Sequence, residues 1–153
     1  MLQVISQIIL LIGLFCLAWT DFQTRLIKGR DLLLLSGLGI IIKMFILSFQ
    51  KEQNFFEIWK QEFLIKIPLA MLIGVILFFI AKLTQEQVGI GDAFVFCVTG
   101  IFLDFVQNLV LLIGTFLLIG VFSLIWLLGK WKGRDDSVAM MPFTLAAYVL
   151  FVL

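Results

Sequence analysis

Residues 63–81 read FLIKIPLAMLIGVILFFIA, an apolar stretch interrupted by a single charged side chain, Lys66. A helix that crosses the hydrocarbon core of a bilayer needs about 20 mostly apolar residues, so this stretch predicts a membrane-spanning helix. Five other stretches of the chain have the same character, although the fourth in order is short. The six predicted spans cover residues 2–19, 32–49, 63–81, 93–105, 109–129 and 138–153.

The overall composition indicates the same class of protein. Of the 153 residues, 63% are hydrophobic and 14% are charged, whereas a water-soluble domain is about half apolar and a quarter charged. This composition excludes a soluble enzyme and a disordered chain, and two cysteines are too few for a disulfide-rich scaffold. A net charge of +1 without a basic cluster argues against a nucleic-acid partner. We therefore predict an all-α integral membrane protein in which residues 1–153 form a single transmembrane domain.

The fourth and fifth predicted spans could instead form one continuous helix. Such a helix would be about 54 Å long, nearly twice the thickness of the hydrocarbon core. It would also place Asp104, Gln107 and Asn108 near the bilayer centre, where polar groups are costly. We therefore predict a tight hairpin that puts these three side chains among the lipid headgroups.

The distribution of lysine and arginine predicts how the helices are oriented. The loops after the first, third and fifth spans hold seven basic residues, which are Arg25, Lys28, Arg30, Lys82, Lys130, Lys132 and Arg134. The other two loops hold only Lys51 and Lys60. Because basic loops stay in the cytoplasm, we expect the odd-numbered loops to be cytoplasmic and both termini to lie outside.

Most of the ten acidic residues have an explanation that needs no function. Predicted helix starts, turns and solvated loops account for Asp31, Glu52, Glu57, Glu62, Glu86, Asp104, Asp135 and Asp136. Asp21 and Asp92 are different, because one directly follows the first span and the other directly precedes the fourth. The predicted topology puts both carboxylates at the same membrane face and at similar depth.

Residues 89–92 read GIGD, so that Gly89 and Gly91 come just before Asp92. Glycine permits backbone conformations closed to other residues and lets a second chain come close. Two adjacent carboxylates share one proton. The ionised one can deprotonate a water that attacks a peptide carbonyl, while the protonated one hydrogen-bonds the carbonyl oxygen. The chain contains no histidine, which excludes Ser-His and Cys-His mechanisms and the usual zinc-protease sites, so we predict chemistry that needs neither a metal nor another cofactor.

Three patches of sequence resemble motifs of the prepilin peptidase family, the GxGD-type aspartic proteases of bacterial inner membranes. The patches are residues 21–27 (DFQTRLI), residues 89–92 (GIGD) followed by Gly100, and residues 141–143 (MPF). The resemblance implies that Asp21 and Asp92 are the catalytic residues. It also implies a supporting role for four further residues, either within the motifs or in the approach of the substrate. These residues are Gly89, Gly91, Thr24 and Pro142.

Several positions depart from the family pattern. Lys28 and Gly29 replace a typical Pro-Asn pair, Phe94 stands where most members have a lysine, and Leu145 replaces a second proline. The larger members also carry an N-terminal cytoplasmic methyltransferase region with paired cysteines for zinc. Because the sequence contains no segment of that kind, we expect a short form that does not methylate its product.

The resemblance implies a membrane aspartic endopeptidase that removes the short basic leader from prepilin or pseudopilin-like precursors. Such precursors serve type IV pili, protein secretion or competence, and the cut is made at the cytoplasmic face of the plasma membrane. The expected partners are the precursor protein and membrane lipid, and a homo-oligomer is left open. Two other functions stay open: a small proton- or ion-coupled transporter that uses Asp21 and Asp92 as a relay, and a non-catalytic membrane assembly partner.

Overall fold

The computed structural model describes residues 2–24, 27, 29–49, 55–84, 89–128 and 139–153. Within these ranges the chain forms helices and no strand, so the predicted all-α fold is confirmed. The α-helices are α1 (Leu2–Thr24), α2 (Gly29–Phe49), α3 (Phe55–Lys60), α4 (Ile67–Leu83), α5 (Ile90–Phe102), α6 (Phe105–Leu128) and α7 (Met141–Phe151). A π-helical segment, Gln61–Lys66, joins α3 to α4 without a break.

The helices differ in whether they are long enough to cross a membrane. Four segments have the required length and hydropathy, and these are Val4–Thr24, Gly29–Ser48, Ile58–Leu83 and Phe105–Trp126. Each of the six predicted spans contains a helix, but α5 and α7 have only 13 and 11 residues. They are therefore about 20 Å and 17 Å long, shorter than the hydrocarbon core. Six complete crossings thus stay a prediction.

The orientation of the termini also stays a prediction. Most of the loop lysines and arginines on which it depends lie outside the described residues. The predicted helix caps and surface positions of Glu52, Glu86, Asp135 and Asp136 lie outside them as well.

The short helix α5 lies at the centre of the bundle, with most of its side chains buried. It packs most extensively against α4, because glycines remove the side chains that would keep the two backbones apart. A Cβ atom at Gly74 would lie 2.7 Å from the carbonyl oxygen of Ala93, and one at Gly100 would lie 2.7 Å from the carbonyl carbon of Ala70. Small residues allow membrane helices to approach closely in this way. This contact fixes the position of α5, whose first turn carries Asp92.

A sharp turn at Leu103 and Asp104 separates α5 from α6, so the two predicted spans form a hairpin rather than one helix. Leu103 has an extended backbone conformation that ends α5. The backbone N–H of Asp104 donates to Oε1 of Gln107 at 3.4 Å. Asp104 is exposed and Gln107 is half-buried, so both side chains are accessible at this end of the bundle.

The predicted position of Asn108 among the headgroups is wrong, because its side chain is fully buried. Its amide nitrogen donates to the carbonyl oxygens of Ala70 at 2.9 Å and Phe96 at 3.1 Å. Its amide oxygen accepts a hydrogen bond from the hydroxyl of Thr99 at 2.8 Å. A buried amide is tolerated when its polar atoms are bonded, and this one ties α4, α5 and α6 together.

Two predicted helix boundaries also differ from the structure. Helix α1 continues through Thr24, so Asp21 lies in its last turns rather than after its end. The helical segment that contains the third span begins well before residue 63 and includes Glu62. The prediction that Glu62 lies on a solvated loop is therefore wrong. Its side chain is only 17% exposed and is paired with the ammonium groups of Lys43 and Lys66, which offset the cost of removing a carboxylate from water.

Helix α7 packs against both α1 and α6. The hydroxyl of the buried Tyr148 donates to the carbonyl oxygen of Gln7 on α1 at 3.1 Å. Near the start of α7, the ring of Phe143 lies 5.2 Å from the ring of Phe122 on α6. These contacts hold the N-terminus of α7 beside the last turns of α1, where Asp21 lies.

Candidate functional site

Asp21 is a buried carboxylate near the C-terminal end of α1, with 6% of the residue exposed. Its Oδ2 accepts a hydrogen bond from the backbone N–H of Met141 at 3.2 Å. Met141 is the first residue of α7, and the first N–H groups of a helix have no partner within that helix. The Asp21 side chain therefore satisfies one of these groups and lies at the positive end of the α7 dipole.

Asp92 lies in the first turn of α5 and is partly buried. The helix begins after Gly89, whose carbonyl oxygen accepts hydrogen bonds from the N–H groups of Asp92 at 3.0 Å and Ala93 at 3.4 Å. The Asp92 side chain folds back over Gly89. It lies so close that a Cβ atom at Gly89 would be only 2.8 Å from Oδ2 of Asp92. Gly89 has φ of −61° and ψ of 129°, an extended conformation open to any residue. A side chain at this position would therefore displace the Asp92 carboxylate, whereas the backbone shape itself does not require glycine.

The second glycine of the motif makes room for a residue of the first motif. A Cβ atom at Gly91 would lie 3.2 Å from both Cβ and Cδ1 of Ile27. Ile27 follows α1 and is half-buried. The chain that leaves α1 therefore packs directly on the first turn of α5, close to Asp92.

The structure places both predicted carboxylates at the same end of the bundle. Ile27, which follows Asp21 and the end of α1, packs on Gly91, the neighbour of Asp92, although Asp21 and Asp92 are far apart in the sequence. The third patch is present at the same place, through the hydrogen bond from Met141 to Asp21. Two neighbouring carboxylates disfavour double ionisation and titrate as a pair. Such a pair can hold one proton and exchange it with a water or with a substrate.

The other predicted site residues lie around this pair in different ways. Thr24 is exposed, and its hydroxyl donates to the carbonyl oxygen of Thr20 at 2.8 Å. Pro142 occupies the first turn of α7, where its missing N–H costs nothing. Phe94, which stands at the usual lysine position, points to α4, where its ring lies 5.7 Å from that of Phe78.

Among the described residues, no group of three or more histidine, cysteine or acidic side chains could hold a metal ion. The functional feature that the sequence analysis missed is the backbone N–H of Met141. A signal for it exists in hindsight, because Pro142 marks a helix start and a helix start has free N–H groups. Which acceptor they meet depends on the packing of α7 against α1, and no spacing in the sequence specifies it.

Comparison with known proteins identifies the family. The model of the type IV leader peptidase family matches residues 8–124, a range that includes Asp21 and the GIGD motif and ends before α7. No curated protein and no solved structure matches the chain. The match covers well over half of the chain and confirms the resemblance to the prepilin peptidases, so the chain belongs to the type IV leader peptidase family.

Proposed function

We propose that the chain is an aspartic endopeptidase that removes the short basic leader from prepilin or pseudopilin-like precursors. The observation that carries this proposal is the placement of Asp21 and Asp92 at the same end of the bundle, where Met141 bonds to Asp21 and Ile27 packs on Gly91. Membership in a leader peptidase family supports hydrolysis of a peptide bond as the reaction. The four long apolar helices support a location in a membrane, which we infer to be the bacterial plasma membrane.

In this mechanism Asp21 and Asp92 share one proton. The ionised carboxylate takes a proton from a water molecule, and the water oxygen attacks the carbonyl carbon of the scissile bond. The other carboxylate gives its proton to the carbonyl oxygen, which stabilises the tetrahedral intermediate. When the intermediate collapses, the C–N bond breaks and the first carboxylate gives its new proton to the leaving amine. The second carboxylate recovers its proton as the C=O bond re-forms, so the pair ends each turnover with the one proton it began with.

The residues around the two carboxylates keep them in position for this reaction. Met141 fixes Oδ2 of Asp21 through its N–H. Gly89 leaves room for the Asp92 carboxylate, and Gly91 leaves room for Ile27. Correct placement of catalytic groups supplies a large part of enzymatic rate enhancement, so these contacts support a catalytic role for the pair.

The substrate would lie with its apolar helix beside the helices of the enzyme and its basic leader in the cytoplasm. The excess of basic residues in the odd-numbered loops supports a cytoplasmic position for the end that carries Asp21 and Asp92. Helix α5 is only about 20 Å long, which supports a water-filled depression at Asp92. Water has to reach the scissile bond for hydrolysis.

Co-expression of the chain with a candidate prepilin tests the proposal, with leader removal followed as a mobility shift on a gel. Asp21→Asn and Asp92→Asn should each abolish processing, because asparagine keeps the shape of the side chain but cannot exchange the proton. The matched control is Asp31→Asn, at the same end of the bundle. Asp31 lies at the start of α2, where its carboxylate is 3.7 Å from the guanidinium of Arg30. Its substitution should leave processing intact.

Membrane fractionation and thermal stability of each variant show whether it is folded. Cleavage that persists in either folded Asp21→Asn or Asp92→Asn would exclude the carboxylate pair as the catalytic group. A folded wild-type chain that processes no precursor would instead favour the non-catalytic assembly partner.

A further inference from the structure

A polar cavity lies at the end of the bundle opposite Asp21 and Asp92. It has a volume of about 210 Å³ and is formed where α1 begins, α2 ends, α4 begins and α5 turns into α6. In a chain that is 63% hydrophobic, its walls carry a concentration of charged and amide side chains. Its charged and amide lining residues are Gln7, Lys43, Glu62, Lys66, Asp104 and Gln107.

The charges on one wall leave a net positive charge. Glu62 is paired with both Lys43, at 3.5 Å, and Lys66. Two ammonium groups and one carboxylate sum to +1. Each ammonium group has three N–H donors, so pairing with one carboxylate leaves donors on both lysines for a further acceptor. This wall therefore suits a singly charged anion such as a phosphodiester.

A negative charge stands at the turn between α5 and α6. Asp104 is exposed and lines the same cavity as Lys43 and Lys66. The hydrogen bond to Gln107 uses the backbone N–H of Asp104 and leaves its carboxylate available. A ligand that fills the cavity thus meets a positive wall and a negative one, which matches a molecule with a phosphate and an ammonium group.

The surroundings of the cavity indicate that such a molecule comes from the bilayer. Large apolar side chains next to the lining residues are exposed on the outside of the bundle: Ile5 is 45% exposed, Leu64 65% and Val106 67%. Exposed apolar surface beside a polar cavity at the end of membrane helices is where acyl chains meet headgroups. The π-helical segment that carries Glu62 and Lys66 is a rare geometry, often found at functional sites.

We propose that this cavity binds the phosphoethanolamine headgroup of a membrane lipid, with Lys43 and Lys66 holding the phosphate and Asp104 holding the ammonium group. The binding site is independent of the peptidase chemistry, because none of its residues belongs to the Asp21–Asp92 end. Its occupant would hold five helices against one another at the place where the short helix α5 ends.

The test offers the purified full chain an equimolar mixture of phosphatidylethanolamine, phosphatidylcholine and phosphatidylglycerol with identical acyl chains. Native mass spectrometry then measures which lipid is retained. Phosphatidylcholine keeps the phosphate but has no N–H donor for Asp104, and phosphatidylglycerol has no cation. Asp104 is exposed, so its bond to the ligand has the strength of an ordinary hydrogen bond rather than that of a buried charged one. Loss of such a bond weakens binding by roughly threefold to tenfold, so phosphatidylethanolamine should be retained in preference to both by that factor.

Two variants and a control locate the binding. Lys66→Gln, at a half-exposed side chain, should lower retention of phosphatidylethanolamine by roughly threefold to tenfold. Asp104→Asn should abolish its preference over phosphatidylcholine. The control is Lys82→Gln at the other end of α4, where the ammonium group lies over the ring of Phe78, and it should change neither result.

Equal retention of the three lipids would overturn the proposal and leave the lysines as a purely structural ion-pair cluster. A preference that survives in both Lys66→Gln and Asp104→Asn would also overturn it. A measurement with inorganic phosphate alone distinguishes a lipid headgroup from a free phosphate ion as the ligand of the cavity. Thermal stabilisation by inorganic phosphate as large as that by phosphatidylethanolamine would assign the cavity to a free anion and exclude the lipid.

Discussion

The two ends of the bundle that α5 connects hold their charges in opposite arrangements. At the start of α5, Asp92 lies at the same end of the bundle as Asp21, the other carboxylate of the proposed pair. At the other end, Glu62 is bound by the ammonium groups of Lys43 and Lys66. Like charges held close together raise the free energy of the folded state, whereas opposite charges lower it.

This difference fits the proposed division of the molecule into a catalytic end and a stabilising end. Sites that catalyse reactions often keep interactions that are unfavourable for stability, because perturbed titration is what the reaction needs. The Asp21–Asp92 end places two like-charged side chains at one end of the bundle, as such a site does. The end with Glu62 has its charges in mutually favourable pairs, as a site that stabilises the fold or binds a ligand does.

Among the substitutions that test this comparison, Gly89→Ala should have the largest effect, which is a loss of cleavage rate. The new Cβ atom would lie 2.8 Å from Oδ2 of Asp92, so the carboxylate has to swing away while the backbone of Gly89, which is in an ordinary conformation, need not change. Displacing a catalytic group by about 1 Å costs on the order of a hundredfold in rate. We expect leader cleavage to fall by that factor with little change in thermal stability, measured by a cleavage time course and a melting curve.

Gly29→Ala is the matched control for this variant. Gly29 begins α2, and no atom lies within 4 Å of the place where its Cβ atom would be. Cleavage should therefore stay at the wild-type rate. If Gly89→Ala cleaved the precursor as fast as Gly29→Ala does, the observed placement of the Asp92 carboxylate would not be the one used in catalysis.

A second prediction concerns Asn108, which is polar and buried but carries no charge. Asn108→Leu removes three hydrogen bonds between helices. At about 0.6 kcal/mol for a hydrogen bond between membrane helices, the free energy of unfolding should fall by roughly 2 kcal/mol. Denaturation in detergent measures this change. The comparison variant is Thr115→Val, because the buried hydroxyl of Thr115 bonds only to Leu111 of its own helix.

A loss of stability in Thr115→Val as large as that in Asn108→Leu would show that the bonds between helices add nothing beyond local ones. Asn108 would then have the same structural weight as any buried polar residue. The polar groups that stabilise the end of the bundle with Glu62 would then be its ion pairs with Lys43 and Lys66 rather than Asn108.

Hydropathy predicted the helical class of the chain and the positions of its apolar segments, because a bilayer imposes a length and a composition on each segment. It misplaced Asn108 and Glu62 for one physical reason. A polar residue near the end of an apolar segment looks the same whether it faces water or partners on neighbouring helices. The amide partners on α4 and α5 and the lysine partners of Glu62 become visible only in the packed bundle.

The candidate site could be predicted in its residues but not in its geometry. The motifs predict Asp21, Asp92 and the two glycines as site residues, and the structure places all four at one end of the bundle, while their catalytic role stays a prediction. The N–H of Met141 that holds Asp21 is a backbone group, so no side chain signals it. The role of Gly89 was also predicted only in general terms, because the rotamer of Asp92 decides which of its neighbours must lack a Cβ atom.

The smallest expected effects test directly whether the charges at one end lower the free energy of unfolding and those at the other end raise it. At an alkaline pH, where both carboxylates are ionised, Asp92→Asn removes one of two like charges and should raise the free energy of unfolding by about 1 kcal/mol, even though it abolishes cleavage. Glu62→Gln leaves Lys43 and Lys66 facing each other without a counter-charge and should lower the free energy of unfolding by about 1 kcal/mol or more. Melting curves of both variants in the same detergent measure the two shifts. Since asparagine and glutamine keep the size of the side chains they replace, shifts of the same sign would mean that packing rather than charge governs both ends, and the distinction between a catalytic and a stabilising end would fail.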